Sequence, residues 1–498
     1  MTVLQKTDAL ATRPGKVPGW LMAVMAVAAG LIVICFVVRT VVSWRNYGDL
    51  ENEGGIWTTI AQDITYGTLY RPLVSDLGYG GTRYAPLHAL LQAGLMKAGI
   101  APVTGGFLLG VAAMVFVMAG FYVLLRRLEV PAWFAVLTAC FCLAPYCVRS
   151  GILSIKADLL AAGLDIWGLV AVTFISGRPT TRWWPAVLLA AVCFVLALMS
   201  KVTIVFGIAS AFIWLLMRRE KKKAISLAAV YGAGVLLAVL AVQWASDGRA
   251  VAVFRACASA AGGWHRLAKA PAGFFPAVFL HDKAVGGFWV AAIVLLLARR
   301  RWTDLPTILL IITSLATLAL FGTRGIDINH LIDLYLASLL LLAVQFRAGR
   351  VARIVVPLVM SAMVIHAATS CLRDAKQIHV EKRRQVMEAT LADAGQSRLK
   401  GPMLAENPML PILAGARPYM LDAFMLSVID LKDPLVDEKL SDDLVHQRFS
   451  AVIITPNLTH DTEPTPLDHW PILLKRMKEH YKLNAMDGQN LIYLPKAP

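Results

Sequence analysis

Residues 44–88 read WRNYGDLENEGGIWTTIAQDITYGTLYRPLVSDLGYGGTRYAPLH and lie between long apolar runs. Three acids, Asp49, Glu51 and Glu53, fall within a five-residue window directly after the first of those runs. Ile56, Ile60 and Ile64 follow at helical spacing. Arg71, Asp76 and Arg83 come next, and a Tyr84-Ala85-Pro86-Leu87 turn opens a second amphipathic stretch. Acids and arginines held at a membrane face suit chemistry on a phosphate-bearing substrate. The plainer alternative is a solvated loop.

The surrounding composition decides the class. The 498 residues are 58% hydrophobic and only 16% charged, whereas soluble domains carry about a quarter charged residues. Several runs approach the roughly 20 apolar residues that cross a bilayer core of about 30 Å. This is the composition of a polytopic membrane protein. The net charge of +16 collects in short loops, the pattern that orients membrane helices, so it does not point to nucleic acid as a partner. The seven cysteines include no C-x-x-C pair and read as buried thiols.

Working outward, residues 1–19 form a basic tail expected on the cytoplasmic side, and Trp20–Val38 an uncleaved first span. Further apolar runs at Phe107–Leu125, Ala132–Cys147, Leu159–Ile175, Ala186–Met199 and Val202–Met217 end at alternating sides. Ile225–Trp244, Val285–Leu297, Pro306–Phe321, Leu331–Val344 and Ile354–Ala368 continue the alternation. The reading is a mainly α membrane protein of about 11 transmembrane helices spanning residues 20–371. Its outer loops cover about 44–106 and 245–284, and Ala85–Ile100 is expected to lie along the outer surface. The densest basic cluster, Arg218-Arg219-Glu220-Lys221-Lys222-Lys223, falls on the inner side. From residue 372 to 498 the composition becomes that of a small α/β domain, with strands expected at Ala451–Thr455 and Asn490–Leu494. That domain is expected outside a bacterial inner membrane.

Four outer-face features then converge. They are the acid cluster with Arg71, Arg83 and Tyr84; Arg149 to Asp158, including Lys156; Ser200-Lys201; and Asn329-His330-Leu331-Ile332-Asp333. Ionisable groups at span ends are costly and mark functional sites by default, although a lone lysine can snorkel. Trp264-His265-Arg266 reads as an interfacial anchor, His281-Asp282 as loop solvation, and the Asn457-Leu458-Thr459 sequon as incidental. No H-E-x-x-H or Cys/His cluster suggests zinc; carboxylates leave a divalent cation open.

An acid motif after the first span, an amphipathic helix and then Y-x-P-L resembles the first outer loop of the GT-C superfamily of glycosyltransferases. Within that superfamily it resembles the protein O-mannosyltransferase and lipid A aminoarabinose transferase types. Asp158 resembles that group's second acid, Met199-Ser200-Lys201 its M-x-K corner, and Gly325 to Asp333 its late G-x-x-x-N-[YH]-x-x-[ED] stretch. One departure stands out: Asn52-Glu53 replaces the adjacent Asp-Glu pair of relatives.

The resemblance implies transfer of a sugar from a polyprenyl-phosphate donor to a lipid, glycan or protein acceptor at the outer face. A carboxylate among Glu53, Asp49 and Glu51 would serve as base. Asp158 would orient the acceptor or a cation. Arg71, Arg83, Tyr84, Lys156, Lys201, Asn329, His330 and Asp333 would bind the donor phosphate and substrate. Inversion in one displacement is expected, because no second carboxylate is evidently dedicated to a covalent intermediate. The rival reading is a transporter or flippase of a lipid-linked or anionic solute, which would place its ionisable groups near the midplane. A non-catalytic assembly protein is a third.

Overall fold

The computed structural model describes residues 18–176, 183–258, 264–299, 302–323, 325–396, 401–430, 434–454, 471–487 and 490–496. The N-terminal tail expected on the cytoplasmic side, the sequon at Asn457 and the side chains of Trp264 and His265 lie outside what is described.

Each apolar run contains a helix. The first is α1 (Gly19–Asn46), followed by α2 (Asn52–Thr65), the short strands β1 (Val74–Ser75) and β2 (Gly78–Tyr79), and α3 (Leu87–Lys97). The bundle continues through α4 (Pro102–Arg127), α5 (Ala132–Phe141), α6 (Tyr146–Leu153), α7 (Asp158–Thr173), α8 (Trp184–Ser200) and α9 (Phe206–Met217). Then come α10 (Lys221–Ala245), α11 (Arg249–Ala258), α12 (Ala270–Pro276), α13 (Lys283–Arg299), α14 (Leu305–Leu320), α15 (Leu331–Gln345) and α16 (Arg350–Glu381).

Length separates these helices more finely than hydropathy did. Among the described residues five are each long and apolar enough to cross a bilayer, or up to seven if each of two bent pairs makes one span. Three shorter apolar helices, α8, α9 and α14, accompany them. The chain is a multi-pass membrane protein, but its apolar runs are not all straight crossings. The expected span Ala132–Cys147 is broken: α5 and α6 meet at 72°. Pro145 stands at the break, where its ring and missing N–H prevent the helix from continuing.

Burial follows sequence. The continuous apolar face of α15 is enclosed from Leu331 to Ala343, and α7 is enclosed from Leu159 to Val172 apart from Leu160 and Trp167. In contrast α10 buries only Ala224 and Leu227, with Leu236, Leu237 and Leu240 more than half exposed. An exposed apolar helix of that length is a lipid-facing one.

The C-terminal region begins as the polar continuation of α16 and turns at Lys382, which adopts a left-handed conformation (φ 48°). Beyond it lie α17 (Arg383–Ala394), β3 (Met403–Ala405), α18 (Met409–Leu413), α19 (Ala423–Asp430), α20 (Pro434–Val445), β4 (Ala451–Ile454), α21 (Pro471–His480), β5 (Tyr481–Asp487) and β6 (Asn490–Pro495). The strands form one sheet in the order β3-β4-β6-β5. β3 runs parallel to β4, and the other pairs are antiparallel. The sequence reading anticipated β4 and β6. It missed β5, where Tyr481, Leu483 and Ala485 alternate with Lys482 and Asn484 on the edge of the sheet.

This domain sits directly on the loop that follows α1. Gly55 of α2 packs so closely on Pro408 and Met409 that a Cβ there would collide with both. Tyr79 N donates to Tyr419 O (2.9 Å).

Candidate active site

Four helices begin at one place. Glu53 is in the first turn of α2, Asp158 opens α7, Asn329 and His330 immediately precede α15, and Tyr84-Ala85-Pro86 leads into α3. The N-terminal end of a helix carries unpaired N–H groups and a partial positive charge. Four such ends turned toward one pocket therefore favour negative charge within it.

The pocket has a volume of about 90 Å³. Its wall includes Glu53, Arg83, Tyr84, Asp158, Lys201, Asn329 and His330, seven of the residues singled out from sequence. Lys201 follows the last residue of α8 in extended conformation, which carries its ammonium to Asp158 at 2.5 Å. Asn329 Nδ2 donates to the same carboxylate oxygen at 3.1 Å. Arg83 donates to the Gly325 carbonyl at 2.9 Å and lies over the Phe424 ring. Gly325 has φ +65°, and a Cβ there would crowd Arg83 and Phe424. This is the first glycine of the late motif, and it is needed for close approach.

The acids separate into distinct roles. Glu53 faces the pocket with its side chain 28% exposed and is held by Lys156 at 2.7 Å. Glu51 shares Lys156 at 3.3 Å but does not line the pocket. Asp49 is elsewhere: it is buried, bound by Arg39 at 2.6 and 3.0 Å and by the Ser43 hydroxyl. An acid saturated in this way is a structural counter-ion. Lys156 is not part of the pocket wall but the cation beneath Glu51 and Glu53. Burial alone would lower its pKa, yet the Glu53 and Glu51 carboxylates outweigh burial and raise it well above the ordinary lysine value.

Two further residues lie away from the pocket. Arg71 is buried and clamps Asp63 at 2.5 and 2.9 Å while donating to the carbonyls of Leu77 and Pro418. Arg417 of the C-terminal domain reaches the same Asp63 at 2.7 Å. Arg71 therefore ties the loop to the C-terminal domain and does not line the pocket. Asp333 sits in the first turn of α15, where it shares a cavity of about 20 Å³ with Asp165.

Other participants were not legible. Trp57 lines the pocket one helical turn after Glu53 and packs on Tyr84, with ring centroids 4.7 Å apart; its spacing was the available signal. Burial pushes the Tyr84 phenol well above its usual pKa, so it stays neutral. From the C-terminal domain, Phe424 covers Arg83 and Asp422 is buried close by; nothing in that segment's sequence marked either. Among the described residues no group of three or more His, Cys, Asp or Glu is arranged to hold a metal ion.

Asp422 yields a pH test. Burial, opposed by the Met425 backbone N–H and Arg83, raises its pKa from 3.8 to about 6. Its neutral form is thus favoured by folding. The resulting stabilisation is complete below pH 3.8 and lost as pH rises toward 6. Relative to Asp422→Asn, the wild-type thermal midpoint is expected to fall across that window and stay level above it. The change is on the order of 3 kcal/mol. A flat difference curve would refute the assignment.

No protein-family model matches this sequence, and no curated protein matches it significantly. Solved structures do resemble it. ArnT from Cupriavidus metallidurans bound to undecaprenyl phosphate superposes with a TM-score of 0.57 at 12% identity, covering 97% of this chain and 99% of that one. The archaeal oligosaccharyltransferase AglB from Archaeoglobus fulgidus, in complex with an inhibitory peptide and a dolichol-phosphate, gives a TM-score of 0.58 at 13% identity. That match covers 88% of this chain and 69% of that one. ArnT in the apo state matches with a TM-score of 0.53. At such identities the likeness is one of architecture: the chain shares the fold of the ArnT and AglB structures.

Proposed function

We propose that this protein is a glycosyltransferase that takes a sugar from a polyprenyl-phosphate donor and delivers it to an acceptor at the bundle end covered by the C-terminal domain. One observation carries the reading. The polar pocket adjoins an apolar groove of about 450 Å³, and Ala85 and Val202 line both. That groove runs between α8, α10 and α11, past Met199, Val239 and Phe254. A polar pocket holding Arg83 and Lys201, set beside an apolar groove, fits a ligand with a phosphate head and an isoprenoid tail. The lipid phosphates in the ArnT and AglB structures support that ligand class.

In this reading Arg83, Lys201 and His330 surround the donor phosphate, arginine by its planar fork and lysine as a point charge. Glu53 accepts the proton of the acceptor hydroxyl as that oxygen attacks the anomeric carbon. The sugar–phosphate bond breaks, and the lipid phosphate leaves as an anion stabilised by the pocket cations, without protonation by a strong acid. One displacement inverts the anomeric centre. Asp158 holds Lys201 and Asn329 in place.

The experiment is incubation of the purified protein with a panel of labelled polyprenyl-phosphate sugars and a crude envelope extract. Wild type is expected to transfer label. Lys201→Met is expected to lower the rate by about 10²- to 10³-fold, the loss typical of one preorganised charge-stabilising group. Transfer by no donor, together with lipid-phosphate movement across proteoliposomes that survives Glu53→Gln, would instead establish a transporter.

A further inference from the structure

On another side of the bundle, at the same end, lies a second polar cavity of about 460 Å³. It is bounded by α6, by the junction before α13, and by the last turns of α16 before the C-terminal domain. Arg149, Lys283, Arg373, His281 and His366 contribute to its wall. His366, Ser370, Arg373 and Gln377 form one stripe along α16 at helical spacing.

The two acids present are already satisfied. Asp374 accepts from Arg149 at 3.0 Å. Asp282 is buried and accepts from the backbone N–H groups of Cys147 (2.8 Å) and Val285 (3.4 Å). Among the described residues Lys283 and Arg373 have no carboxylate within ion-pair distance. The buried Arg149 also keeps an Nε without a hydrogen-bond partner. The Lys283 and Arg373 cations are therefore not matched by the acids of the cavity wall, and neither lines the donor pocket.

The surroundings identify the ligand. The segment Arg266–His281 meets Lys283–Ala298 at 107°, which sets the cavity at the bend where α13 begins. Beside the cavity Leu280, Phe279, Leu372 and Ile365 are exposed apolar side chains. Cations with an apolar skirt at the bilayer surface suit a phosphate head whose acyl chains remain in the membrane.

We propose that this cavity binds the phosphate-bearing headgroup of an anionic membrane lipid, separately from the donor site. The floor of the site also touches the catalytic loop. Arg39, which binds Asp49 just ahead of Glu51 and Glu53, donates to the Arg149 carbonyl at 3.0 Å. A lipid drawing on Arg149 is therefore in position to rigidify that loop.

The test uses the full-length protein in nanodiscs of phosphatidylcholine doped with phosphatidic acid, with lipids retained after extraction counted by native mass spectrometry. Wild type is expected to retain phosphatidic acid in preference to phosphatidylcholine. Lys283→Ala/Arg373→Ala is expected to weaken that retention about tenfold or more, since each cation near an anionic headgroup contributes about a kcal/mol. Equal retention by wild type and variant overturns the site. Displacement of the lipid by inorganic phosphate as effective as by short-chain phosphatidic acid overturns the lipid assignment in favour of a soluble anion; ineffective displacement upholds it. Both side chains are exposed, so thermal midpoints should be unchanged. Should the double variant not fold, the single Lys283→Gln and Arg373→Gln variants carry the same readout.

Discussion

Glu53→Gln is expected to reduce sugar transfer by about 10²- to 10⁴-fold, the usual contribution of a positioned general base, while leaving folding and donor binding intact. Glutamine keeps the shape and the hydrogen-bonding oxygen but cannot accept the acceptor's proton. The neighbouring acids serve as controls of different kinds. Glu51→Gln removes one of two carboxylates on Lys156 and should cost far less, because Glu51 lies outside the pocket. Asp49→Asn should lower thermal stability more than turnover per folded molecule, because it unbalances the buried Arg39. Turnover and thermal midpoint measured together for all three variants decide the matter. Full activity in Glu53→Gln, with loss confined to Asp49→Asn or Glu51→Gln, would move the base to another acid.

The second large effect is structural. Asp63 is 2% exposed and receives both Arg71 and Arg417. Asp63→Ala would strand two guanidinium groups at the seam between the membrane bundle and the C-terminal domain. Removing one member of a buried ionic cluster typically costs 3–5 kcal/mol, because the remaining charges lose compensation. The expected result is a C-terminal domain released from the bundle, seen as faster proteolysis between residues 382 and 403 and a lowered first thermal transition. Arg71→Met should act similarly but more weakly, since Arg417 still holds Asp63. If Asp63→Ala left the protease pattern unchanged, the clamp would not be what docks the domain.

The contrast between Arg71 and Arg83 shows how far sequence could go. Both are arginines in the same loop beside apolar and aromatic residues, and both suggest phosphate binding. Twelve positions apart in sequence, one turns inward to Asp63 and the other reaches Gly325. Which does which depends on where the C-terminal domain sets Pro418, Arg417 and Phe424, and those residues are more than 300 positions away. The same holds for the three acids. Their clustering was evident, but Asp49 is taken up by an arginine ten residues earlier on α1, and Glu53 is left at the pocket because α2 begins there.

The sequence by itself determined the membrane class, the helical content of each apolar run, a C-terminal region of different composition with strands, and the set of span-end residues worth watching. These follow from composition and local periodicity, which a linear reading samples directly. Only the tertiary structure decided which of those residues meet, that a break at Pro145 replaces a straight span, and that an apolar groove lies beside the polar pocket. Ion-pair choice is a contest among partners brought together by packing, and its outcome is set by distance and burial, neither of which is a local property of the chain.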